Sequence, residues 1–171
     1  MFTLIQTLFD QKPRHVFDFV AITCLGLLGY GFYLQYALGL EPCPMCVVQR
    51  YAFVLIAVVC VLARLGASKF LHIGGALLML LLAGAGAFTA ARQSWLQWYP
   101  PDIASCGRDI YGMVENFPLS RAIPMIFKGS GDCTKVDWTF LGGSIANWSF
   151  VCFAVFTLLA LVFLARSCRR R

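Results

Sequence analysis

Residues 16–38 read VFDFVAITCLGLLGYGFYLQYAL, a run whose single charge, Asp18, falls in its first turn. Coiled as a helix at 1.5 Å per residue, such a run is long enough to cross a hydrocarbon core of about 30 Å. Three more apolar runs follow, at about residues 47–65, 71–91 and 145–165. Lipid offers no water to hydrogen-bond the backbone, so spans of this kind are helices. The first run is longer than a signal-peptide core and no small-residue cleavage site follows it, which favours an uncleaved helix. Asp18, close to the end of its run, is read as an interfacial, solvated carboxylate.

With 60% hydrophobic and 13% charged residues over 171 positions, the chain lacks the balance of a soluble globule. The expected fold is an all-α membrane protein: one domain, residues 1–171, built as a four-helix transmembrane bundle. Its non-spanning segments are a link at about 39–46 and a long loop at about 92–144. That loop carries Trp95, Leu96, Trp98 and Tyr99 before Pro100-Pro101, and Met113, Val114, Phe117, Ile123, Met125, Ile126 and Phe127 after it. Such residues favour the headgroup level, so the loop is expected to hold short interfacial helices. Gly74, Gly75, Gly84 and Gly86 in the third run are expected to let neighbouring helices approach closely.

Charge sets the orientation. The side holding both termini and the Arg64–His72 turn has eight Lys or Arg in short segments; the other side has six, Arg50 and five in the long loop, matched by six acids. The whole net charge of +6 therefore lies on the first side. Short basic segments stay in the cytoplasm, so both termini are expected there and the loops outside. The charge is a topology signal and implies no nucleic-acid partner.

Eight cysteines divide by surroundings. Cys24, Cys60 and Cys152 lie inside apolar runs and read as small packing residues, and Cys168 sits among terminal arginines. Cys43, Cys46, Cys106 and Cys133 occupy polar or turn-like stretches on the outer side, which in bacteria is oxidising, and are the candidates for reactivity. The stretch Cys43-Pro44-Met45-Cys46-Val47-Val48-Gln49-Arg50 opens the second helix. Pro44 suits the first helical position, which places Cys43 near the N-cap and Cys46 in the first turn. Both sulfurs then lie at the positive end of the helix dipole, which favours thiolate. Arg50, four residues beyond Cys46, shares its face. Cys106 and Cys133 lie in glycine-bearing contexts that suit either thiol–disulfide exchange or a stabilising disulfide.

Four spans, a Cys-X-X-Cys followed by Arg, and a second pair of cysteines around an interfacial loop together resemble the DsbB family, quinone-dependent thiol oxidases of the bacterial inner membrane. Leu40-Glu41-Pro42-Cys43, Gln97-Trp98-Tyr99-Pro100, Ser130-Gly131-Asp132-Cys133, Trp138 and Phe140-Leu141-Gly142 are similar to that family's sequence around its cysteines. The resemblance implies that Cys43 and Cys46 are reoxidised by a quinone from the membrane pool, ubiquinone or menaquinone, with Cys46 nearest its ring and Arg50 required for quinone function. It implies further that Cys106 and Cys133 form the pair that exchanges with a periplasmic DsbA-like thiol oxidase, Cys106 making the mixed disulfide. No metal is expected. Gln49 and Gln93 stand where some members carry Glu and His, which argues against a proton-handling role at either position, and Pro44-Met45 differs from more apolar versions. Alternatives are a membrane scaffold binding zinc through the four outer cysteines, a vitamin-K-epoxide-reductase-like enzyme, and a paralogue serving one dedicated partner.

Overall fold

The computed structural model describes residues 14–66, 68–100, 131–134 and 136–169. Four long helices dominate: α1 (Arg14–Leu38), α2 (Pro44–Leu65), α3 (Lys69–Trp98) and α4 (Ile145–Arg169). Each is long and apolar enough to cross a membrane, and the protein is a four-helix, multi-pass membrane bundle. Helix α3 is central, packing against α2 and α4, while α1 lies against α2.

The side chains are distributed as lipid requires. Leu25, Leu55, Leu62, Leu81 and Leu158 point outward, whereas the interior is built from Ala57, Ala63, Ala76, Ala83, Ala90 and Ala160 interleaved with Phe17, Phe53, Phe153 and Phe156. Without a hydrophobic driving force between helices, close packing of small residues against rings holds the bundle. Phe53 and Phe153 stack with centroids 4.1 Å apart and planes within 8°. The four glycines of α3 divide. A Cβ at Gly86 would lie 2.5 Å from the Phe153 ring, and one at Gly75 would lie 2.5 Å from the Ala63 methyl, but at Gly74 and Gly84 it would meet nothing within 4 Å. Close approach accounts for two of them.

The helices overrun the apolar runs. The expected third span, about 71–91, sits within a helix that starts at Lys69, capped by the Ser68 hydroxyl accepting the Leu71 N–H at 3.3 Å, and continues to Trp98. Residues 92–98, expected in the loop, are thus helical. No Gly or Pro interrupts Arg92-Gln93-Ser94, and Gln93, Ser94 and Leu96 are buried, so packing of a polar face extends the helix beyond its hydrophobic stretch. The interfacial helices expected in the long loop fall at 101–130, outside the described residues.

At the end opposite the cysteines, the Asp18 carboxylate pairs with the Arg64 guanidinium and lies 3.8 Å from His15 Nδ1. The first turns of α1 are thereby tied to the last turn of α2. At the cysteine end, a hairpin precedes α4: β1 (Thr139–Phe140) and β2 (Gly143–Ser144) are antiparallel, with Thr139 opposite Ser144 and Phe140 opposite Gly143. Its two turn residues, Leu141 and Gly142, have φ of 49° and 79°. Positive φ at both positions matches the right-handed twist of a tight hairpin. Trp148 Nε1 donates to the Phe140 carbonyl at 2.9 Å, and the Ser144 hydroxyl donates to Gln97 Oε1 at 2.6 Å, which docks the hairpin onto α4 and α3.

Candidate functional site

Cys43 and Cys46 are joined as a disulfide at the start of α2. Cys43 is the N-cap, with extended backbone angles of −65° and 160°; its sulfur accepts the Cys46 N–H at 3.2 Å, and Pro44 follows at the first helical position. Proline loses nothing there, because that N–H has no partner inside a helix, and its fixed φ pre-organises the turn. The sequence places both sulfurs at the mouth of the helix for the same reason.

A second helix supplies hydrogen bonds to the pair. Gln93, near the end of α3, directs its Nε2 to Cys43 Sγ at 3.3 Å and to Cys46 Sγ at 3.2 Å. Gln49 Nε2 donates to Gln93 Oε1 at 2.8 Å. Both amides are almost wholly buried. Neither was assigned a part in the chemistry from sequence: Gln93 lies 50 residues from Cys43, and its polar neighbours read as loop.

On one side the disulfide adjoins a small buried cluster of Cys43, Met45, Leu96 and Cys133, with Cys46 packed against it. Cys133 is fully buried and is delivered by a single helical turn, Gly131–Thr134, that rests mainly on α3. Of the second pair of cysteines the structure thus brings Cys133 to the Cys43–Cys46 bond; Cys106 lies outside the described residues.

On its other side the disulfide borders a cavity of about 300 Å³, lined by Leu27, Leu28 and Leu34 from α1, Phe53 from α2, Trp148 and Cys152 from α4, and Trp138 and Phe140 from the hairpin segment. Arg50, Gln49 and Gln93 line it together with the sulfurs, and its polar lining also includes the carboxylates of Glu41 and Asp137. Arg50 is held in place by α1: Nη1 donates to Gln35 Oε1 at 2.5 Å, Nη2 donates to the Gly31 carbonyl at 3.0 Å, and the guanidinium lies 5.3 Å from the centroid of the Phe32 ring. The i, i+4 spacing of Cys46 and Arg50 does bring both to one face, and that face is the cavity wall. The aromatic cover continues above it, with Tyr30, Trp138, Phe140 and Trp148 in successive ring contacts of 5.8–6.1 Å.

The other thiols divide as well. Cys24 and Cys60 are buried packing residues, the Cys60 thiol lying 3.6 Å from Met79 sulfur. Cys152 is only partly buried and faces the cavity, a placement its apolar run did not reveal. Zinc ligation requires thiolates. A Cys43–Cys46 disulfide withdraws two of the four sulfurs that the scaffold reading needs, and among the described residues no three His, Cys, Asp or Glu side chains are grouped to hold a metal.

Comparison with known proteins gives the arrangement its context. The sequence model of a family described as disulfide bond formation protein DsbB matches residues 13–163. The chain belongs to the DsbB family. A disulfide bond formation protein B of Polaromonas naphthalenivorans is 66% identical over 161 residues, covering 94% of this chain and 96% of its own length. Its counterpart in Albidiferax ferrireducens is 62% identical, covering 95% and 93%, and that of Aromatoleum aromaticum is 53% identical, covering 92% and 96%. As a DsbB-family member the protein is a disulfide-forming oxidoreductase embedded in a membrane by four helices.

Proposed function

We propose that the protein takes two electrons from the dithiol of a periplasmic DsbA-like oxidase and passes them to a membrane quinone, so that each turnover generates one disulfide. The observation that carries this reading is the two-sided setting of the Cys43–Cys46 bond: a buried cysteine, Cys133, on one side and an apolar cavity bearing a fixed guanidinium on the other. Charge asymmetry supports both termini being cytoplasmic and the four cysteines periplasmic in a bacterial inner membrane.

The cavity suits a quinone. Its ring is apolar and flat with two carbonyl acceptors, and the lining offers Leu27, Leu28, Phe53 and Trp148 for the ring and Arg50 as a charged donor for an oxygen. A bound quinone supplies an acceptor for two electrons and two protons.

The chain's own residues carry the exchange. A partner thiolate attacks Cys106 Sγ of a Cys106–Cys133 disulfide, forming a mixed disulfide and releasing Cys133 as thiolate. Cys133 then attacks Cys43 Sγ, so that a Cys43–Cys133 bond forms and Cys46 leaves as thiolate. The partner's second thiol resolves the mixed disulfide and frees Cys106, which attacks Cys133, restores the Cys106–Cys133 bond and releases Cys43. Cys43 and Cys46 close again as their electron pair departs. Arg50 steadies anionic charge at the cavity wall throughout, and the helix dipole of α2 lowers the cost of each thiolate.

The test is turnover of purified protein with a reduced DsbA-type partner and ubiquinone or menaquinone. Cys46→Ser abolishes quinone reduction, and Cys106→Ser abolishes exchange with the partner. In Cys133→Ser the mixed disulfide at Cys106 accumulates and its bound protein can be identified. A Cys46→Ser chain that reduces quinone at the normal rate overturns the reading.

A further inference from the structure

Gln93 reaches both sulfurs of the Cys43–Cys46 bond from a helix that contributes no cysteine of its own. Its orientation is determined by Gln49. With Gln49 Nε2 donating to Gln93 Oε1 at 2.8 Å, the Gln93 amino group is turned to the sulfurs, and its two hydrogens serve two acceptors. Both side chains are 3% exposed, so water does not compete for these donors.

Bonded sulfur is a weak acceptor, whereas an anion draws shorter hydrogen bonds of roughly twice the strength. The same N–H groups therefore stabilise the opened bond more than the closed one. A group that favours the charge-separated state over the resting state accelerates the step between them. Cys43 already receives the Cys46 N–H at 3.2 Å. For the Cys46 sulfur, Gln93 is, among the described residues, the donor supplied from outside its own helix.

We propose that Gln93 is a catalytic residue that stabilises the Cys46 thiolate by direct hydrogen bonding, and that Gln49 is the positioning residue that aims it. This deepens the reading in which Cys46 is the sulfur released. The device is neutral. A carboxamide neither gains nor loses a proton over the working range, so it supports the thiolate equally at every pH and hands no proton to the cavity. Of these four side chains only the sulfur and Arg50 carry charge, and the other ionisable side chains lining the cavity include Glu41, Asp137, Cys152 and Tyr30.

The experiment uses full-length Cys43→Ser protein in detergent, reduced, with neither quinone nor partner. Iodoacetamide labelling of Cys46, resolved by mass spectrometry across a pH series, follows its thiolate fraction. Gln93→Met keeps the length and removes the donor, and moves the midpoint up by about one pH unit, a tenfold loss of thiolate below it. Gln49→Met leaves the donor but releases its aim, and moves the midpoint in the same direction by less. Gln93→His restores a ring N–H and adds a second inflection, from the imidazole, that the amide lacks. Unmoved midpoints in Gln93→Met and Gln49→Met overturn the proposal. Should Gln93→Met fail to fold, an unmoved midpoint in Gln49→Met with a single inflection in Gln93→His overturns it equally. An unmoved midpoint beside a dead Cys46→Ser enzyme removes the amide role and leaves the electron route standing; a shifted midpoint beside an active Cys46→Ser enzyme does the reverse.

Discussion

Gly86→Ala adds one methyl group where α3 crosses α4. The new Cβ would sit 2.5, 2.6 and 2.7 Å from three carbons of the Phe153 ring. Carbon atoms in contact are separated by about 3.5–4.0 Å, so the shortfall is about 1 Å. Phe153 has little freedom to yield: it is fully buried and stacked on Phe53 at 4.1 Å. The helices must separate or the stack must break, and overpacking of this kind destabilises by about 1–3 kcal/mol. Gly84→Ala, two residues away on the same helix, is the internal control. Its Cβ meets nothing within 4 Å, so that substitution keeps the packing and gains up to about 1 kcal/mol of helix propensity. Equilibrium unfolding of both variants in mixed micelles reads the difference. Because Phe53 also lines the cavity, the Gly86 variant should lose apparent affinity for the proposed quinone as well. The reasoning fails if Gly86→Ala is as stable as the parent, or if Gly84→Ala is destabilised to the same extent.

Other substitutions probe separate parts. Arg50→Lys keeps the charge but loses the fork that holds Gln35 and the Gly31 carbonyl together; quinone turnover should fall about tenfold or more, and steady-state rates against quinone concentration check it. Asp18→Asn breaks a pair whose side chains are 27% and 52% exposed, so the cost should stay below about 1 kcal/mol, with the difference in unfolding midpoint shrinking as salt is raised. Gly142→Ala meets no neighbour but forces alanine to φ of 79°; it should cost about 1 kcal/mol, seen as faster amide exchange in the hairpin while the α2–α3 core is unaffected.

The bundle was readable because lipid imposes a demand that composition satisfies openly: long apolar runs and few charges. The start of α2 was readable too, since Cys43 before Pro44 offers one economical way to begin a helix. What stayed hidden depended on neighbours. Gly84 and Gly86 look alike along the chain, and only the ring opposite one of them tells them apart. Gln93 reads as the start of a loop until burial against α2 shows a polar helix face turned inward. The hairpin has strands of two residues, too short for alternation to register, and Leu141 is an unexpected occupant of a left-handed turn. Spacing puts Arg50 on the face of Cys46, but its partners on α1, Gln35 and Gly31, lie 15 and 19 residues away and follow no local pattern.

Cys43 both caps α2 through its sulfur and holds the bond that the proposed exchange opens. Each time that sulfur is drawn toward Cys133, the helix surrenders part of its terminal anchorage, a loss of about 1 kcal/mol for a capping group. The first turn then frays slightly while Cys43 is bonded to Cys133 and tightens when Cys43 is released. Secondary structure and the exchange step are coupled through one atom, so amide exchange at Cys46 should report the Cys43–Cys133 intermediate without any chromophore.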